Sequence, residues 1–376
     1  MNILVICHYS LYQNFSFSFV HNQIREYAKL GHRVRVVIPN GLGKVGRDGK
    51  RIGKQLIVSE IDQVELYDVR YFTASKYGEK KFNTESAKFS IRCLQKKIFF
   101  DFKPDVVHAH TLGFDSEIGA WLKRKFSCPL VVTTHGSDAE IPLSKGEKER
   151  VRAYCDNADK IVAVSSKLAD RVRSCGTKTP VITVHNGFVA HSFKDEGRDP
   201  KRIIQVGNLI PSKRVNITIR ALARLKQTFP EMNLFIVGQG PEREKLEALC
   251  EELEVKDAVT FAGQLDNADV FRELQKSNFF VMASKPEGFG IVYLEAMAAG
   301  CITIGTQGEG IQDIIVSEQN GFLVPADDPQ AIVDIVENCL ADEKKAKSIS
   351  EGGKATASQL TWENNAKKYL DMFEQE

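Results

Sequence analysis

The chain has 376 residues, of which 43% are hydrophobic and 27% are charged. At roughly 100–200 residues per domain this length predicts two domains, and the hydrophobic share is sufficient for ordinary globular cores. No run approaches the ~18 consecutive apolar residues of a membrane-spanning helix. The opening residues MNILVIC are typical of a strand and not of a signal peptide. We therefore expect a cytoplasmic protein.

The cysteines and the charge distribution narrow the class of protein further. The eight cysteines are scattered without a C-x-x-C pair, which favours reduced thiols over disulfides or a zinc site. Residues 1–190 hold 30 Lys and Arg against 19 Asp and Glu, whereas residues 191–376 hold 21 against 30. The basic half predicts contact with something anionic, such as a membrane surface, a phosphorylated acceptor or nucleic acid. No nucleic-acid-binding motif accompanies the charge, so we expect no nucleic acid partner.

The first half alternates short apolar strands with helical stretches, a pattern typical of parallel βαβ units. Strands are predicted at 3–7, 33–39, 105–110, 129–135, 159–165 and 181–187. A helix is predicted at 18–30, and a glycine-rich basic loop at 41–54. A second helix, at 85–103, is rich in phenylalanine and lysine. It is interpreted as a core helix with a basic edge, and a helix at a membrane interface is the alternative.

The second half begins after a segment without periodicity. We predict a linker at 189–201 between a first domain over 1–188 and a second domain over 202–360. The second domain opens with a strand, a turn and a helix for which Ser212 is the predicted N-cap. Lys213 and Arg214 then stand in the first helical turn. Cations are unfavourable there unless an anion is bound, so the turn predicts an anion site.

Residues 284–300, SKPEGFGIVYLEAMAAG, follow a buried-strand pattern at 279–283 and contain two glutamates eight positions apart. Gly288 and Gly290 favour a tight loop, so we predict a loop that carries Glu287 and a helix from about Gly290 with Glu295 in its second turn. Open α/β sheets bind ligands at the carboxyl ends of their strands, and a helix start binds anions. Carboxylates beside an anion site favour a ligand with hydroxyls and phosphates, such as a nucleotide sugar.

The stretch EGFGIVYLEAMAAG resembles the Glu-x7-Glu motif of the retaining glycosyltransferases of family 4. The resemblance implies the GT-B fold, an α/β architecture of two Rossmann-like parallel-sheet domains facing a cleft, with the helix at 361–376 returning to the first domain. It implies transfer of a hexose or N-acetylhexosamine, with retention of configuration, from a nucleotide diphosphate sugar to a glycan. A UDP-sugar donor and a lipid-linked or anionic acceptor are favoured. No cofactor is expected, and no metal, because the sequence has no D-x-D triplet.

The same resemblance assigns roles to individual residues. Catalytic roles fall to His135, Lys213 and Glu287. Glu295 is expected to bind the ribose diol and Lys213 the diphosphate. The donor-binding residues are Asn208, Lys213, Arg214, Gly263, Leu265, Glu287, Phe289, Gly290, Ile291 and Glu295. The acceptor-side residues are Tyr9, Asn14, Phe15, Ser16 and Asp138. His108 and His110 are expected near His135 and are weaker candidates for a role in the site.

Two departures from the family pattern leave an alternative open. Asn208 stands where relatives usually have an arginine, and the first loop lacks the usual glycine-rich turn. The alternative is a catalytically degenerate binding or regulatory protein of the same fold. A dinucleotide-dependent oxidoreductase is disfavoured, because the glycines at 238–240 lack the G-x-G-x-x-G spacing. Peripheral contact between the basic first domain and the inner face of the membrane is also expected.

Overall fold

The computed structural model of the protein describes residues 1–8, 18–42, 55–73, 80–189 and 197–375. Its internal contacts divide the chain into two compact units, unit 1 with residues 1–186 and 362–376, and unit 2 with residues 187–361. The predicted acceptor-side residues Tyr9, Asn14, Phe15 and Ser16 lie outside the described residues, as does most of the basic loop. Within the described ranges, no helix has both the length and the apolar character needed to cross a bilayer.

Unit 1 is built on a mostly parallel sheet. Its strands are β1 (Asn2–Ile6), β2 (Arg33–Leu42), β3 (Leu56–Ile61), β4 (Val64–Phe72), β5 (Val106–His110), β6 (Leu130–Thr134), β7 (Lys160–Ala163) and β8 (Val181–Thr183). Their order in the sheet is β3-β4-β2-β1-β5-β6-β7-β8, with only β3 antiparallel to its neighbour among the described pairs. The winding reverses between β1 and β5, so the carboxyl ends of these two strands form a topological switch point, where such sheets bind ligands.

Unit 2 contains a fully parallel sheet. Its strands are β9 (Asp199–Val206), β10 (Asn233–Val237), β11 (Val259–Gly263), β12 (Ser277–Val281), β13 (Ile302–Thr306) and β14 (Phe322–Val324). The order β11-β10-β9-β12-β13-β14 is that of a doubly wound Rossmann sheet, with the switch point between β9 and β12. The strand β9 begins inside the predicted linker, because Asp199 pairs with Ser277 and donates its N–H to the carbonyl of Lys276.

Helices cover both faces of each sheet. In chain order they are α1 (Ser18–Lys29), α2 (Lys80–Ile98), α3 (Phe114–Phe126), α4 (Ser137–Ser144), α5 (Lys148–Cys155), α6 (Ser166–Arg173), α7 (Val215–Thr228), α8 (Arg243–Glu252), α9 (Asn267–Gln275), α10 (Ile291–Ala299), α11 (Pro329–Ala341), α12 (Glu343–Ser358) and α13 (Trp362–Phe373). The last of them packs within unit 1, where Asn365 accepts a hydrogen bond from Gln23 of α1 and donates one to the carbonyl of His185.

The inner strands of both sheets, such as β1, β6 and β13, are buried on two sides, which explains why they are continuous apolar runs in the sequence. In unit 2, Ile203, Leu222 and Phe279 are completely buried in one cluster. Each such side chain contributes about 1.5–3 kcal/mol through the removal of apolar surface from water. The predicted pair of parallel-sheet α/β domains is therefore confirmed, and each sheet brings its loops together at a switch point.

Candidate active site

Three glycine-containing loops meet where β9, β10 and β11 end in unit 2. Leu209 donates its N–H to the carbonyl of Gln239 at 2.9 Å, and Gly238 donates to the carbonyl of Gly263 at 2.7 Å. A Cβ atom at Gly238 would lie 2.0 Å from the carbonyl oxygen of Gly207. This position therefore requires glycine because two backbones touch. The packing leaves Asn208 exposed at the surface of the switch point.

The turn after β9 differs from the predicted helix start. Residues 211–213 form a short 3-10 turn, and α7 begins only at Val215. Arg214 takes the N-cap position with a left-handed backbone (φ 48°), so the prediction that Ser212 caps the helix is wrong. Long-range bonds hold the turn in this form. Gln205 donates to the carbonyl of Lys213 at 2.9 Å, and the Lys285 N–H donates to the carbonyl of Ser212 at 2.7 Å.

The Lys213 side chain reaches across the switch point to the loop after β12. Its Nζ forms an ion pair with Oε2 of Glu287, which also accepts a hydrogen bond from the Ser284 hydroxyl at 3.1 Å. The backbone N–H of Glu287 donates to the buried carboxylate of Glu309 at 2.7 Å. The structure thus brings two predicted catalytic residues, Lys213 and Glu287, into direct contact. Sequence reasoning missed Glu309, although a glutamate between two glycines just after a strand was an available signal.

Helix α10 begins at Ile291, as the glycine pattern predicts. Its N-cap is Gly290, with φ 78°, and no side chain caps the helix. A Cβ atom at Gly290 would lie 2.7 Å from the ring of Tyr293, so the loop can make this turn only with glycine. Uncapped N–H groups and the helix dipole favour an anion at this end. The side chain of Phe289 is buried, so only its main chain can face a ligand.

Glu295 lies in the second turn of α10, as predicted, and its side chain is half-buried. No hydrogen bond or ion pair joins its carboxylate to another residue in the described part of the chain. Burial raises the pKa of Glu295 from 4.5 to about 7. A carboxylate kept partly from water without a donor is poorly satisfied, so this position favours a ligand that supplies hydroxyl or N–H groups.

The other predicted donor-binding residues have more ordinary surroundings. The guanidinium of Arg214 forms an ion pair with the exposed carboxylate of Asp327, so a phosphate would have to compete for it. Gly263 ends β11 with φ 75°, and Leu265 is half-buried in the loop before α9. Their roles, and that of Asn208, stay predictions.

Unit 1 contains a cavity of about 480 Å³ at the carboxyl ends of its strands. Its walls are lined by His8, Tyr71, Asn83, Thr84, Thr111, Leu112, Gly113, Phe114, Glu117, His135, Ser137, Asp138, Ile141, Pro142, Lys145, Glu147, Arg150 and Tyr154. Two of these residues, His135 and Asp138, are predicted site residues. Aromatic rings mixed with carboxylates and cations suit a polar ligand with apolar ring faces, such as a sugar.

Asp138 links two loops of this cavity through hydrogen bonds. Its carboxylate accepts hydrogen bonds from the backbone N–H groups of Leu112 at 2.8 Å and of His135 and Gly136 at 3.0 Å. These bonds give Asp138 a structural role that the sequence did not predict. Its contact with an acceptor stays a prediction.

His135 is held between two rings. Its Nε2 lies 3.1 Å from Nδ1 of His110, whose ring is nearly parallel, and the ring of Phe19 lies 4.5 Å away. Burial lowers the pKa of His135 to about 4, against the opposing effect of the Asp138 charge, and lowers the pKa of His110 well below its usual range. The buried Nδ1 atom of His135 has no partner among the described residues. This histidine is therefore a neutral hydrogen-bonding group and not a proton donor at neutral pH.

His108 lies in the core of unit 1, and its ring packs against that of His110 at 4.3 Å. It is completely buried, with Nε2 2.8 Å from the hydroxyl of Thr133, which in turn lies 2.9 Å from the hydroxyl of Tyr369 on α13. Burial lowers the pKa of His108 to about 3. Among the residues that the structure describes, no group of three or more His, Cys, Asp or Glu side chains is arranged to hold a metal ion.

Comparison with known proteins identifies the family. Residues 18–190 match the family profile Glycosyltransferase Family 4, and residues 188–356 match Glycosyl transferases group 1. An uncharacterised glycosyltransferase of Methanocaldococcus jannaschii is 30% identical over 297 residues, which cover 72% of this chain and 75% of that protein. The chain belongs to the glycosyltransferases, and its residues 18–190 match family 4. This match confirms the predicted glycosyltransferase, whereas the Glu-x7-Glu roles and the retaining mechanism stay predictions.

Other relatives of this glycosyltransferase include a lipopolysaccharide core biosynthesis glycosyltransferase, LpsD of Rhizobium meliloti. It is 25% identical over 77% of this chain and 80% of its own length. Among solved structures, Anabaena HepE in complex with UDP superposes with a TM-score of 0.77 at 18% identity, and both chains are covered completely. The likeness in structure confirms the predicted GT-B fold for this glycosyltransferase.

Proposed function

We propose that this glycosyltransferase is a retaining enzyme that transfers a hexose or N-acetylhexosamine from a UDP-sugar to a glycan acceptor, either lipid-linked or anionic. The transfer is proposed to need no metal and no cofactor beyond the donor. Family membership supports sugar transfer, and the UDP complex of the similar Anabaena protein supports the choice of UDP.

The observation that carries this proposal is the carboxylate of Glu295, which has no partner among the residues that the structure describes. A half-buried acid whose pKa is raised to about 7 gains most from a ligand that offers two hydroxyl donors at once. The cis-diol of a ribose is such a group. The carboxylate lies one helical turn from the uncapped start of α10, where the diphosphate of the same nucleotide finds N–H donors.

The ion pair between Lys213 and Glu287 fits the reacting end of the donor. In the free protein each side chain neutralises the other. A diphosphate carries more charge than one carboxylate, so it competes for Lys213 and leaves Glu287 to accept hydrogen bonds from the sugar hydroxyls. Lys213 and the start of α10 then stabilise the charge that develops on the departing diphosphate. The neutral His135 is proposed to hydrogen-bond the transferred sugar.

A panel of nucleotides tests the proposed donor. We expect UDP and one of UDP-glucose, UDP-galactose and UDP-N-acetylglucosamine to raise the unfolding temperature, whereas GDP and ADP leave it unchanged. A ligand that binds only the folded state at 100 times its dissociation constant adds about 2.7 kcal/mol to the free energy of unfolding. The measurement is thermal unfolding of the full chain at a fixed ligand excess.

Two outcomes of the nucleotide panel would contradict the proposed donor. A rise in unfolding temperature with GDP or ADP, and none with UDP, contradicts the choice of the base uracil. It would still support a nucleotide-binding site. No shift with any nucleotide favours the degenerate alternative and places Asn208 first for replacement by arginine.

We further propose that unit 1 contacts anionic membrane through helix α2. Phe82 and Phe89 lie two turns apart on one face of α2 and are 53% and 64% exposed, and Phe100 just beyond the helix is 88% exposed. Of the exposed cations at the end of α2, Lys96 lies two turns after Phe89 on the same face and Lys97 lies beside it. Exposed aromatic rings among cations are the pattern of a peripheral interfacial helix. An acceptor attached to a lipid would be presented at such a surface.

Co-sedimentation with vesicles tests the membrane contact. Wild-type protein should bind vesicles that contain phosphatidylglycerol, bind pure phosphatidylcholine vesicles less, and dissociate as salt is added. Replacing Phe89 and Phe100 by serine should weaken binding by at least about tenfold, because inserted apolar area is lost. Val316→Ser, which removes an exposed apolar side chain of unit 2, is the control. Equal binding by the double variant contradicts the assignment of this face.

A further inference from the structure

A separate pocket of unit 1, called the α2–α3 pocket below, lies where the carboxyl-terminal ends of α2 and α3 pack together. It has a volume of about 400 Å³ and is lined by Gln95, Lys96, Phe99, Phe100, Lys125 and Phe126. The rings of Phe99 and Phe126 meet edge-on there, with their centroids 4.8 Å apart. The pocket shares no lining residue with the larger cavity of unit 1, so it lies outside the candidate active site.

The ammonium group of Lys125 lies among three aromatic rings of this pocket. Its Nζ is 5.5 Å from the ring centroid of Phe126 and 5.9 Å from those of Phe99 and Trp121. The same Nζ donates a hydrogen bond to the uncharged side-chain oxygen of Gln95. Aromatic faces attract a cation but carry no net charge. The rings therefore hold the ammonium group in place without neutralising it.

Two more cations lie beside Lys125. Arg92 and Lys96 are one turn apart on α2, and the guanidinium of Arg92 lies 5.7 Å from the ring centroid of Trp121. Burial and the neighbouring charge of Arg92 lower the pKa of Lys125. None of these three cations forms an ion pair with another residue in the described part of the chain.

The carboxylates near this end of α2 are engaged elsewhere. Asp101, three positions after the end of the helix, pairs with Arg33 at 2.6 Å and with Arg35 at 3.1 Å. Glu85, whose charge acts on Arg92, pairs with Lys88 at 2.9 Å. The α2–α3 pocket therefore carries an excess of positive charge, which favours an anionic ligand.

The position of the pocket favours a lipid as the source of that anion. Phe100 lines the pocket and is also the most exposed ring of the face that is proposed to contact the membrane. Lys96 likewise belongs to both surfaces. A phosphate with an attached acyl chain would satisfy the cations and cover the exposed ring, whereas a soluble anion would use the cations alone.

We propose that the α2–α3 pocket binds the phosphate group of an anionic phospholipid. Arg92, Lys96 and Lys125 hold the phosphate, and the phenylalanine rings of the pocket contact the first carbons of an acyl chain. The inference rests on the membrane contact proposed for unit 1 and adds a defined binding site to it. All residues of the pocket belong to unit 1. A lipid bound here keeps unit 1 at the surface where a lipid-linked acceptor is presented.

Tryptophan fluorescence of the full chain tests this site. The chain has two tryptophans, Trp121 beside the pocket and the buried Trp362, so Trp362→Phe leaves Trp121 as the reporter. The ligand is dihexanoyl-phosphatidylglycerol, used below the concentration at which it forms micelles. We expect a saturable change of the Trp121 emission with one lipid per chain. Dihexanoyl-phosphatidylcholine, which has no net charge, should bind at least about tenfold more weakly. Equal or tighter binding of phosphatidylcholine overturns the inference.

Charge variants in the reporter protein test the role of the cations. Arg92→Gln combined with Lys125→Gln should weaken binding of the short-chain phosphatidylglycerol by at least about tenfold. Lys96→Gln leaves the contacts of Lys125 with the rings in place and should weaken binding by about two- to fivefold. The matched control is Lys148→Gln with Arg152→Gln, which removes the same charge from the exposed surface of α5. Equal weakening by the control would show that only the net charge matters and overturns the pocket.

Soluble phosphates distinguish the two sources of the anion. Inorganic phosphate and glycerol 3-phosphate should give no saturable change at the concentration at which the short-chain lipid saturates the protein. If either binds as tightly as the lipid, the site recognises a soluble phosphate and the assignment to a phospholipid is overturned.

Vesicle binding separates this inference from the membrane contact on which it rests. Phe89 lies outside the pocket, so Phe89→Ser should weaken binding to vesicles but leave the affinity for the short-chain lipid unchanged. A wild-type protein that binds phosphatidylglycerol vesicles but not the short-chain lipid overturns the pocket and keeps the membrane contact. Binding of the short-chain lipid without binding to vesicles has the opposite meaning.

Discussion

Replacing Lys213 by methionine should lower the rate of UDP release from the donor sugar by about 10²–10³-fold. Its ammonium group is the cation at the switch point of unit 2 that is proposed to hold the departing diphosphate. The same substitution should also lower the unfolding temperature, because among the described residues Glu287 then keeps only the Ser284 hydroxyl as a side-chain donor. The Glu287 side chain is 12% exposed, and a poorly solvated charge without its partner costs about 1–3 kcal/mol.

A double variant separates these two effects of Lys213. Lys213→Met combined with Glu287→Gln removes both charges, so it should recover most of the lost stability but none of the activity. Lys345→Met is the matched control, because Lys345 pairs with Glu318 at 2.8 Å on the exposed surface of unit 2. Exposed pairs contribute little, so both stability and turnover should stay near wild type. Recovery of activity in the double variant would contradict the proposed role of Lys213 and indicate that only the ion pair matters.

Much of the fold could be predicted, because parallel strands buried on both faces are continuous apolar runs. The β3–β4 hairpin escaped prediction for the opposite reason. The strand Leu56–Ile61 is largely exposed at the sheet edge, and its turn is formed by Asp62 and Gln63 in left-handed conformations. An Asp-Gln turn lacks the Asn-Gly or Asp-Gly signal that marks such hairpins in a sequence.

The glycine pattern was enough to predict the start of α10, since a left-handed Gly290 is a local requirement. The turn that carries Lys213 could not be predicted in the same way. It is held by Gln205 and by the backbone of Lys285, 73 positions after Ser212. Local helix propensity does not reflect such contacts. In unit 1, Nδ1 of His8 lies 2.7 Å from Oδ2 of Asp115, although the two residues stand 107 positions apart. Only the adjacency of β1 and β5 brings them together, so their pairing depends on topology that the sequence pattern does not specify.

Replacing Glu295 by glutamine should abolish binding of the UDP-sugar and yet stabilise the protein at alkaline pH. In the folded chain the pKa of this acid is raised from 4.5 to about 7 by burial. Between these values the folded state holds a proton that the unfolded state releases, so the free energy of unfolding falls as the pH rises through this window. Above it the wild type bears the full cost of a buried charge, at most of the order of 3 kcal/mol, and glutamine bears none.

The pH dependence makes this prediction specific. Wild type and Glu295→Gln should unfold at similar temperatures near pH 4.5, where the acid is protonated, and diverge in favour of the variant above pH 7. Donor affinity of the wild type should rise with pH through the same range, because only the ionised carboxylate accepts both hydroxyls of a diol. Glu351→Gln, which neutralises an exposed acid on α12, should change neither curve. A variant that binds UDP as well as the wild type would remove Glu295 from the donor site. Equal stability above pH 7 would show that the carboxylate is better solvated than its position on α10 implies.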